Sequence, residues 1–249
     1  MSGHSKWATI KRKKAVIDQK RGKTFAKLAR QIDVAARTGG GDPASNAALR
    51  TIIQKAKAAS MTNDAIDRAI KRATGEAQGS NYEAITYEAY APGGVALLID
   101  ILTDNRNRTA SDVRAIFTKC GGSMAAPGAV AWQFNRKGVI LVDRAAKEDD
   151  VMAAVLEHGA DDMNDDGSVW RITCDAARVW EIKAALDAAS LPVQSAESTM
   201  VSSAVVPVTD ASDAKAILKI MDELEEHDDV QDVYANFDIA EALLESIGA

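Results

Sequence analysis

Residues 85–109 read ITYEAYAPGGVALLIDILTDNRNRT and contain two apolar runs rich in β-branched and aromatic side chains. The turn residues Pro92-Gly93-Gly94 separate the runs, so the pattern predicts strands over Ile85 to Tyr90 and Val95 to Leu102. Apolar residues then recur at helical spacing, which predicts a helix from about Arg106 to Cys120. The stretch therefore predicts a domain of mixed α+β structure.

The same alternation of strands and helices continues to the end of the chain. The predicted elements are a hairpin of Val130–Phe134 and Val139–Val142, helix Asp149–His158, strand Val169–Cys174, helix Arg178–Ala188, strand Val193–Met200, strand Ala204–Val208, helix Ser212–Glu226 and strand Val230–Phe237. The last of these strands would complete the sheet that begins at Ile85. One α+β domain is therefore expected to interrupt another.

Between Lys23 and Gly75 the pattern is purely helical. Phe25, Leu28 and Ile32 share one helix face that starts near Lys23, and the glycines at 39–41 end the run. Asp42 as N-cap and Pro43 at the first helical position predict a second helix. A third helix is expected to end at Gly75. The buried faces of these two helices are predicted to carry Ile52, Ile53, Ala56, Ile66, Ala69, Ile70 and Ala73.

These patterns predict an α+β multidomain protein, in which a three-helix domain is followed by two ferredoxin-like α+β domains, the third inserted into the second. The expected boundaries are 1–75 for the basic arm and helical domain, 76–129 plus 204–249 for one α+β domain, and 130–203 for the inserted one.

Charge is distributed very unevenly along the 249 residues. Residues 1–75 contain 17 Lys and Arg against 5 Asp and Glu, a formal charge of +12. Because the whole chain has 30 basic and 36 acidic residues, the remainder holds 13 against 31 and carries −18. A basic module joined to an acidic body is typical of proteins that bind a polyanion.

The basic arm is the strongest candidate for nucleic-acid contact. Residues 2–22 have too few apolar side chains to pack, which predicts a flexible segment. Trp7 offers a face on which a base could stack, although it could equally cap the helical core. The opposite face of the first helix is also cationic. The predicted nucleic-acid-binding residues are His4, Lys6, Trp7, Lys11, Arg12, Lys13, Lys14, Lys20, Arg21, Lys23, Lys27 and Arg30.

A candidate phosphate site lies at the start of the helix that follows residue 103. There Asn105, Arg106 and Arg108 would combine free backbone N–H groups with two guanidinium groups. The alternative is an ordinary capped helix with Asp104 or Asn105 as N-cap and exposed arginines. Capping statistics favour this alternative.

The sequence offers little support for catalysis, a metal or a cofactor. Cys120 and Cys174 are far apart, and the three histidines have no partner at catalytic or metal-binding spacing. Asp162 to Gly167 resembles the start of a calcium loop, but Thr173 stands where a bidentate glutamate is needed. We expect no small-molecule substrate. Without a signal peptide or an apolar membrane span, we expect a cytoplasmic location and no membrane partner.

With these residues in view, the sequence resembles the YebC/PmpR family of probable transcriptional regulators, which is related to mitochondrial translational activators. The resemblance covers nearly the whole chain. It rests on Gly3-His4-Ser5-Lys6-Trp7, Arg21-Gly22-Lys23, Gly40 to Pro43 with Asn46 and Leu49-Arg50, Pro92-Gly93-Gly94-Val95, Thr103 to Thr109, and Lys119 to Gly122.

The resemblance implies the same three-domain layout and no catalytic residues. Two functions then stay open from the sequence: a DNA-binding transcriptional regulator, or a translation factor that binds ribosomal RNA and associates with the ribosome. Both targets present phosphates to the same lysines. An enzyme is the third hypothesis, and the lack of a convergent set of acid, base and metal ligands disfavours it.

Overall fold

The computed structural model describes residues 17–75 and 82–248 of the chain. Residues 132–205 form one compact unit, and the described residues before and after them form another. The second unit begins with three helices and continues with an α+β body. The predicted α+β class with a helical beginning is therefore confirmed.

The helical segment consists of α1 (Ile17–Gly39), α2 (Ala47–Ala58) and α3 (Asn63–Thr74). Its core contains the predicted stripe of α1 together with Leu49, Ala56 and Ile66. Helix α1 begins six residues earlier than Lys23, so the prediction of a flexible arm is wrong from Ile17 onward. Residues 17–22 read IDQKRG and include Gln, Lys and Arg, which are good helix formers.

Asn46 begins the second helix in place of Asp42, which corrects the predicted N-cap. Its Oδ1 accepts a hydrogen bond from Leu49 N at 3.0 Å. Its Nδ2 donates to the carbonyl oxygens of Ala35 and Gly40 at 2.9 and 2.8 Å. Asp42 instead closes the preceding turn by accepting from Ala44 N. One buried amide therefore joins the end of α1 to the start of α2.

The α+β body follows the helices. Its elements are β1 (Glu83–Ala91), β2 (Val95–Thr103), α4 (Arg106–Lys119), β3 (Ser123–Met124), and, after the inserted unit, β8 (Val206–Val208), α7 (Ala211–Glu226), β9 (Val230–Ala235), β10 (Phe237–Ile239) and α8 (Glu241–Ile247). The main sheet has the order β3-β1-β2-β9, and β8 pairs with β10. Strand β9 thus returns to the sheet that contains β1 and pairs with β2.

One face of this sheet forms the core of the body. Val95, Leu97, Ile99 and Ile101 alternate along β2 and are buried against α4 and α7.

Glu88 is a buried acidic residue of β1. Its carboxylate accepts hydrogen bonds from the backbone N–H groups of residues 128, 130 and 131 at 2.5, 2.6 and 2.9 Å. This carboxylate fixes the segment that leads to the inserted unit.

The inserted unit contains β4 (Phe134–Asp143), α5 (Glu148–Leu156), β5 (Ala160–Asp165), β6 (Val169–Asp175), α6 (Val179–Ala188) and β7 (Val193–Ser202). Its sheet order, β5-β6-β4-β7, and its βαββαβ chain order are those of a ferredoxin-like domain. Ile140, Ile172 and Ile182 lie in the core between the sheet and the two helices. The α+β body has a different chain order, with two strands before its first helix.

The predicted hairpin over Val130–Phe134 and Val139–Val142 is wrong, because β4 is one continuous strand. Gly138 lies within this strand. In the structure, a Cβ at this position would lie 2.5 Å from the Cys174 sulfur and 2.9 Å from Val179. The glycine therefore allows close packing within a strand. The polar strand β5 and the last helix, α8, were also absent from the sequence prediction.

Candidate nucleic-acid interface

The predicted interface divides into an arm and a helix face. His4, Lys6, Trp7, Lys11, Arg12, Lys13 and Lys14 lie outside the described residues. The backbones of Lys20 and Arg21 lie on α1, and their side chains are outside the described part of the chain. Lys23, Lys27 and Arg30 are fully described, and they follow one another along α1 at intervals of about one turn.

Packing determines the direction of these three cations. Leu28, Ile32 and Ala36 are buried in the helical core and fix the inner face of α1. Lys23, Lys27 and Arg30 therefore project toward the α+β body. Residues 225–232, at the junction between α7 and β9, lie opposite them. This stretch reads EEHDDVQD and is called the acidic segment below.

Each of the three cations contacts the acidic segment. Lys23 Nζ lies 2.5 Å from Glu226 Oε2, and this hydrogen bond raises the pKa of Lys23. Lys27 Nζ donates to the carbonyl oxygen of Glu225 at 2.7 Å. Arg30 Nη1 donates to the Asp228 carbonyl at 2.9 Å and to Asp229 Oδ1 at 3.3 Å.

Helix α2 adds a further contact to the same surface. Lys55 Nζ lies 2.8 Å from both carboxylate oxygens of Asp232. Beside it, Gln31 and Gln231 share a side-chain hydrogen bond of 3.2 Å. The guanidinium carbon of Arg30 also lies 5.0 Å from the centre of the Tyr82 ring. Lys55 is not among the predicted interface residues.

Asp229 occupies the candidate phosphate site. Its Oδ2 accepts hydrogen bonds from Thr109 Oγ1 at 2.7 Å, Arg108 Nη2 at 2.8 Å and Thr103 Oγ1 at 3.1 Å. Burial by itself raises the pKa of Asp229, but these hydrogen bonds outweigh it and hold the pKa below its usual value. A protein carboxylate is thus the anion bound at the start of α4.

The three residues of that candidate site have structural partners of their own. Asn105 is the N-cap of α4, and its Oδ1 accepts from Arg108 N at 3.1 Å. Arg106 forms an exposed ion pair of 3.3 Å with Glu83. Arg108 also contacts Asp104 at 3.1 Å. The geometry is that of a capped helix whose arginines are paired with acids.

Other cations of the helical segment have a different environment. Lys57, Lys71 and Arg72 are exposed, and none has a side-chain partner within residues 17–75 and 82–248. Helix α3 also carries the exposed acids Asp64 and Asp67. These cations are not among the predicted interface residues, because only the apolar faces of α2 and α3 entered the prediction.

Residues that suggested other chemistry have local structural partners. Asp165 accepts from Gly167 N in the turn after β5 and pairs with Arg144. His158 lies 3.5 Å from Glu181, and His227 lies 3.4 Å from Asp112. Burial raises the pKa of the Cys174 thiol to about 11. Among the described residues no cluster of His, Cys, Asp and Glu could hold a metal ion, and no helix is long and apolar enough to cross a membrane.

Comparison with known proteins covers both parts of the chain. Residues 5–76 match the TACO1/YebC protein N-terminal domain, and residues 82–237 match the TACO1/YebC second and third domain. A protein of Salinispora arenicola named "Probable transcriptional regulatory protein" is 54% identical over the full length of both chains. A protein of the same name from Rubrobacter xylanophilus is 52% identical over 99% of each chain.

A solved structure is similar as well. The crystal structure of a conserved hypothetical protein from Aquifex aeolicus matches with a TM-score of 0.77 and 43% identity. The match covers 90% of this chain and 93% of that one. Together, the two domain matches and the full-length relatives mean that this chain belongs to the TACO1/YebC family.

Proposed function

We propose that this protein is a non-enzymatic regulator of gene expression that acts in the cytoplasm by binding nucleic acid. The observation that carries the proposal is the charge of +12 on residues 1–75 against −18 on the rest of the chain. The relatives named as probable transcriptional regulatory proteins support a regulatory role. DNA is the first candidate target, in keeping with that name.

Contacts to phosphates, rather than to base edges, suit this chain best. Helices α2 and α3 are joined by four residues, 59–62, as in a helix-turn-helix. However, the outer face of α3, which would enter the major groove, carries Asp64 and Asp67 beside its arginines and lysine. Carboxylates on a reading helix would face the phosphates on either side of the groove, and they disfavour close insertion.

This feature also favours a second candidate function, a translation factor bound to ribosomal RNA. Structured RNA is recognised largely by shape and by contacts to its backbone, and such recognition does not need a helix in a major groove. The same basic arm would serve both targets. In either case the acidic α+β domains would face protein or solvent.

Sedimentation of a gently prepared cell lysate tests the proposal and separates its two forms. Association with chromosomal DNA predicts that the protein is released by deoxyribonuclease, whereas association with ribosomes predicts comigration with ribosomal particles and release by ribonuclease. A protein that stays at the top of the gradient under all conditions, including low salt, would contradict both forms.

A further inference from the structure

The acidic segment and a nucleic acid require the same side chains. Lys23, Lys27 and Arg30 belong to the predicted nucleic-acid surface, and in the structure all three donate to residues 225–229. A phosphate that binds these donor groups competes with the contacts that they already make. The acidic segment therefore occupies the α1 surface in the way that a short stretch of phosphate backbone would.

Two of the four cations, Lys23 and Lys55, form exposed ion pairs that are weak enough to be displaced. The side chains of Lys23 and Glu226 are 44% and 51% exposed, and those of Lys55 and Asp232 are 43% and 31% exposed. Exposed ion pairs add little stability, and salt screens them. Duplex DNA carries about one negative charge per 1.7 Å of its axis, so it competes strongly for such cations.

The acidic segment itself is held firmly by the α+β body. Val230 is buried in the core, and the Asp229 carbonyl accepts from Leu102 N at 2.8 Å. The Asp229 side chain is fixed by Thr103 and Thr109 independently of α1. Among the residues that the structure describes, the apolar core of the helical segment shares no member with the core of the body. Loss of the ion pairs would therefore leave both cores intact.

We propose that the acidic segment, residues 225–232, is an autoinhibitory mimic of a phosphate backbone, which covers Lys23, Lys27, Arg30 and Lys55 until nucleic acid binds these cations in its place. This inference rests on the proposed function and concerns the regulation of the same surface. The inference gives the acidic body a role in binding, because the phosphates of a target must bind these cations more strongly than the acidic segment does. Weak polyanions would contact the arm alone, and a dense phosphate array would also engage α1.

The test compares two variants of the full-length protein that change the net charge equally. The first, Glu226→Gln with Asp232→Asn, removes the carboxylates that face Lys23 and Lys55. The control, Glu157→Gln with Asp149→Asn, removes two exposed carboxylates of the inserted unit. Binding of both variants and of the wild type to one duplex DNA and one single-stranded RNA is measured at the same salt concentration.

We expect the first variant to bind about threefold to tenfold more tightly than the control, because two exposed ion pairs no longer oppose binding. Equal binding by the two variants, with the wild type also binding, would overturn the autoinhibitory role and leave the proposed function standing. Absence of binding by all three proteins, even at low salt, would overturn both.

A second measurement observes the contact directly. A carbodiimide joins a lysine to a carboxylate only when the two groups already touch, so it should link Lys23 to Glu226 in the free wild-type protein. Mass spectrometry of the digested protein quantifies the linked peptide. Saturating duplex DNA or RNA should lower its yield severalfold, while the Lys183 to Asp187 pair on α6 serves as the internal control. An unchanged yield with bound nucleic acid would overturn the inference.

Discussion

Glu88 and Asp229 are buried carboxylates whose surroundings consist of hydrogen-bond donors. Backbone N–H groups surround Glu88, whereas Asp229 is held by two threonine hydroxyls and two arginines. In both cases burial opposes ionisation and the hydrogen bonds outweigh it, so the pKa lies below its ordinary value. These residues join parts of the chain that are distant in sequence.

Glu88 should make stability depend on pH in the acid range. A carboxyl group whose pKa falls on folding contributes stability that is present above its unfolded pKa of about 4.3 and is lost as the pH falls through the folded pKa. We expect Glu88→Gln to lower the free energy of unfolding by about 1–3 kcal/mol near neutral pH. The deficit should shrink as the pH falls below about 4.

Denaturant titrations of the wild type and the variant at several pH values measure this effect. Glu83→Gln on the same strand is the control, because Glu83 is exposed and its ion pair is with the exposed Arg106. A deficit that stays constant at all pH values would show that the carboxylate charge of Glu88 is unimportant.

Asp229 and Asp228 are neighbours with opposite environments, and they make a matched pair. We expect Asp229→Asn to lower the free energy of unfolding by about 1–3 kcal/mol, because an amide cannot replace the carboxylate among Thr103, Thr109 and Arg108. Asp228→Asn should hardly change it, because that side chain is exposed. Thermal unfolding of the two variants measures this difference. Equal melting temperatures of Asp229→Asn and Asp228→Asn would contradict the assignment of Asp229 as the structural anion.

At the scale of elements, the helical segment depends on one buried amide. Asn46 supplies the N-cap of α2 and satisfies carbonyls at the end of α1. We expect Asn46→Ala to cost about 1–2 kcal/mol, and Asn46→Asp to cost at least as much, because it would set a carboxylate oxygen against the carbonyl oxygens of Ala35 and Gly40. Circular dichroism during urea unfolding measures both. Asn63→Ala, at an exposed position of α3, is the control, and a loss as large as that of Asn46→Ala would contradict the role of the cap.

The periodicity of apolar residues predicted most helices and strands, because each of these elements has one face buried in the core of its own domain. Helices α4 and α7 and strand β2 lie close to their predicted positions for this reason. The prediction failed where the local signal has another cause. Gly138 interrupts the apolar pattern of β4 and permits close packing against Cys174 within one continuous strand. Strand β5 reads ADDMND and is paired with β6 although its composition is polar.

The candidate site was less accessible to sequence reasoning than the fold. The cationic face of α1 could be predicted from helical spacing, but its partners lie about 200 positions later in the chain. The charge sums suggested a basic module and an acidic body as separate parts. Pairing between them depends on the tertiary fold, and local patterns carry no information about it.

At the scale of the whole molecule, the opposite charges of the helical segment and the α+β body stabilise the contact between them. They also make the acidic body a competitor of nucleic acid for the same cations. The acidic body holds one face of the basic helical segment, and Lys57, Lys71 and Arg72 stay exposed. Together with the arm, these exposed cations would make the first contacts with a polyanion. The central claim is that such contacts are electrostatic and made with phosphates.

The salt dependence of nucleic-acid binding by the full-length protein tests this claim most directly. We expect the logarithm of the binding constant to fall linearly with the logarithm of the salt concentration. Replacing Lys6, Lys11, Arg12, Lys13 and Lys14 by Ala should flatten the slope by up to about 0.9 per lost phosphate contact on duplex DNA, or about 0.7 on single strands. The melting temperature should hardly change. A slope that is the same in the wild type and in this variant would contradict the account.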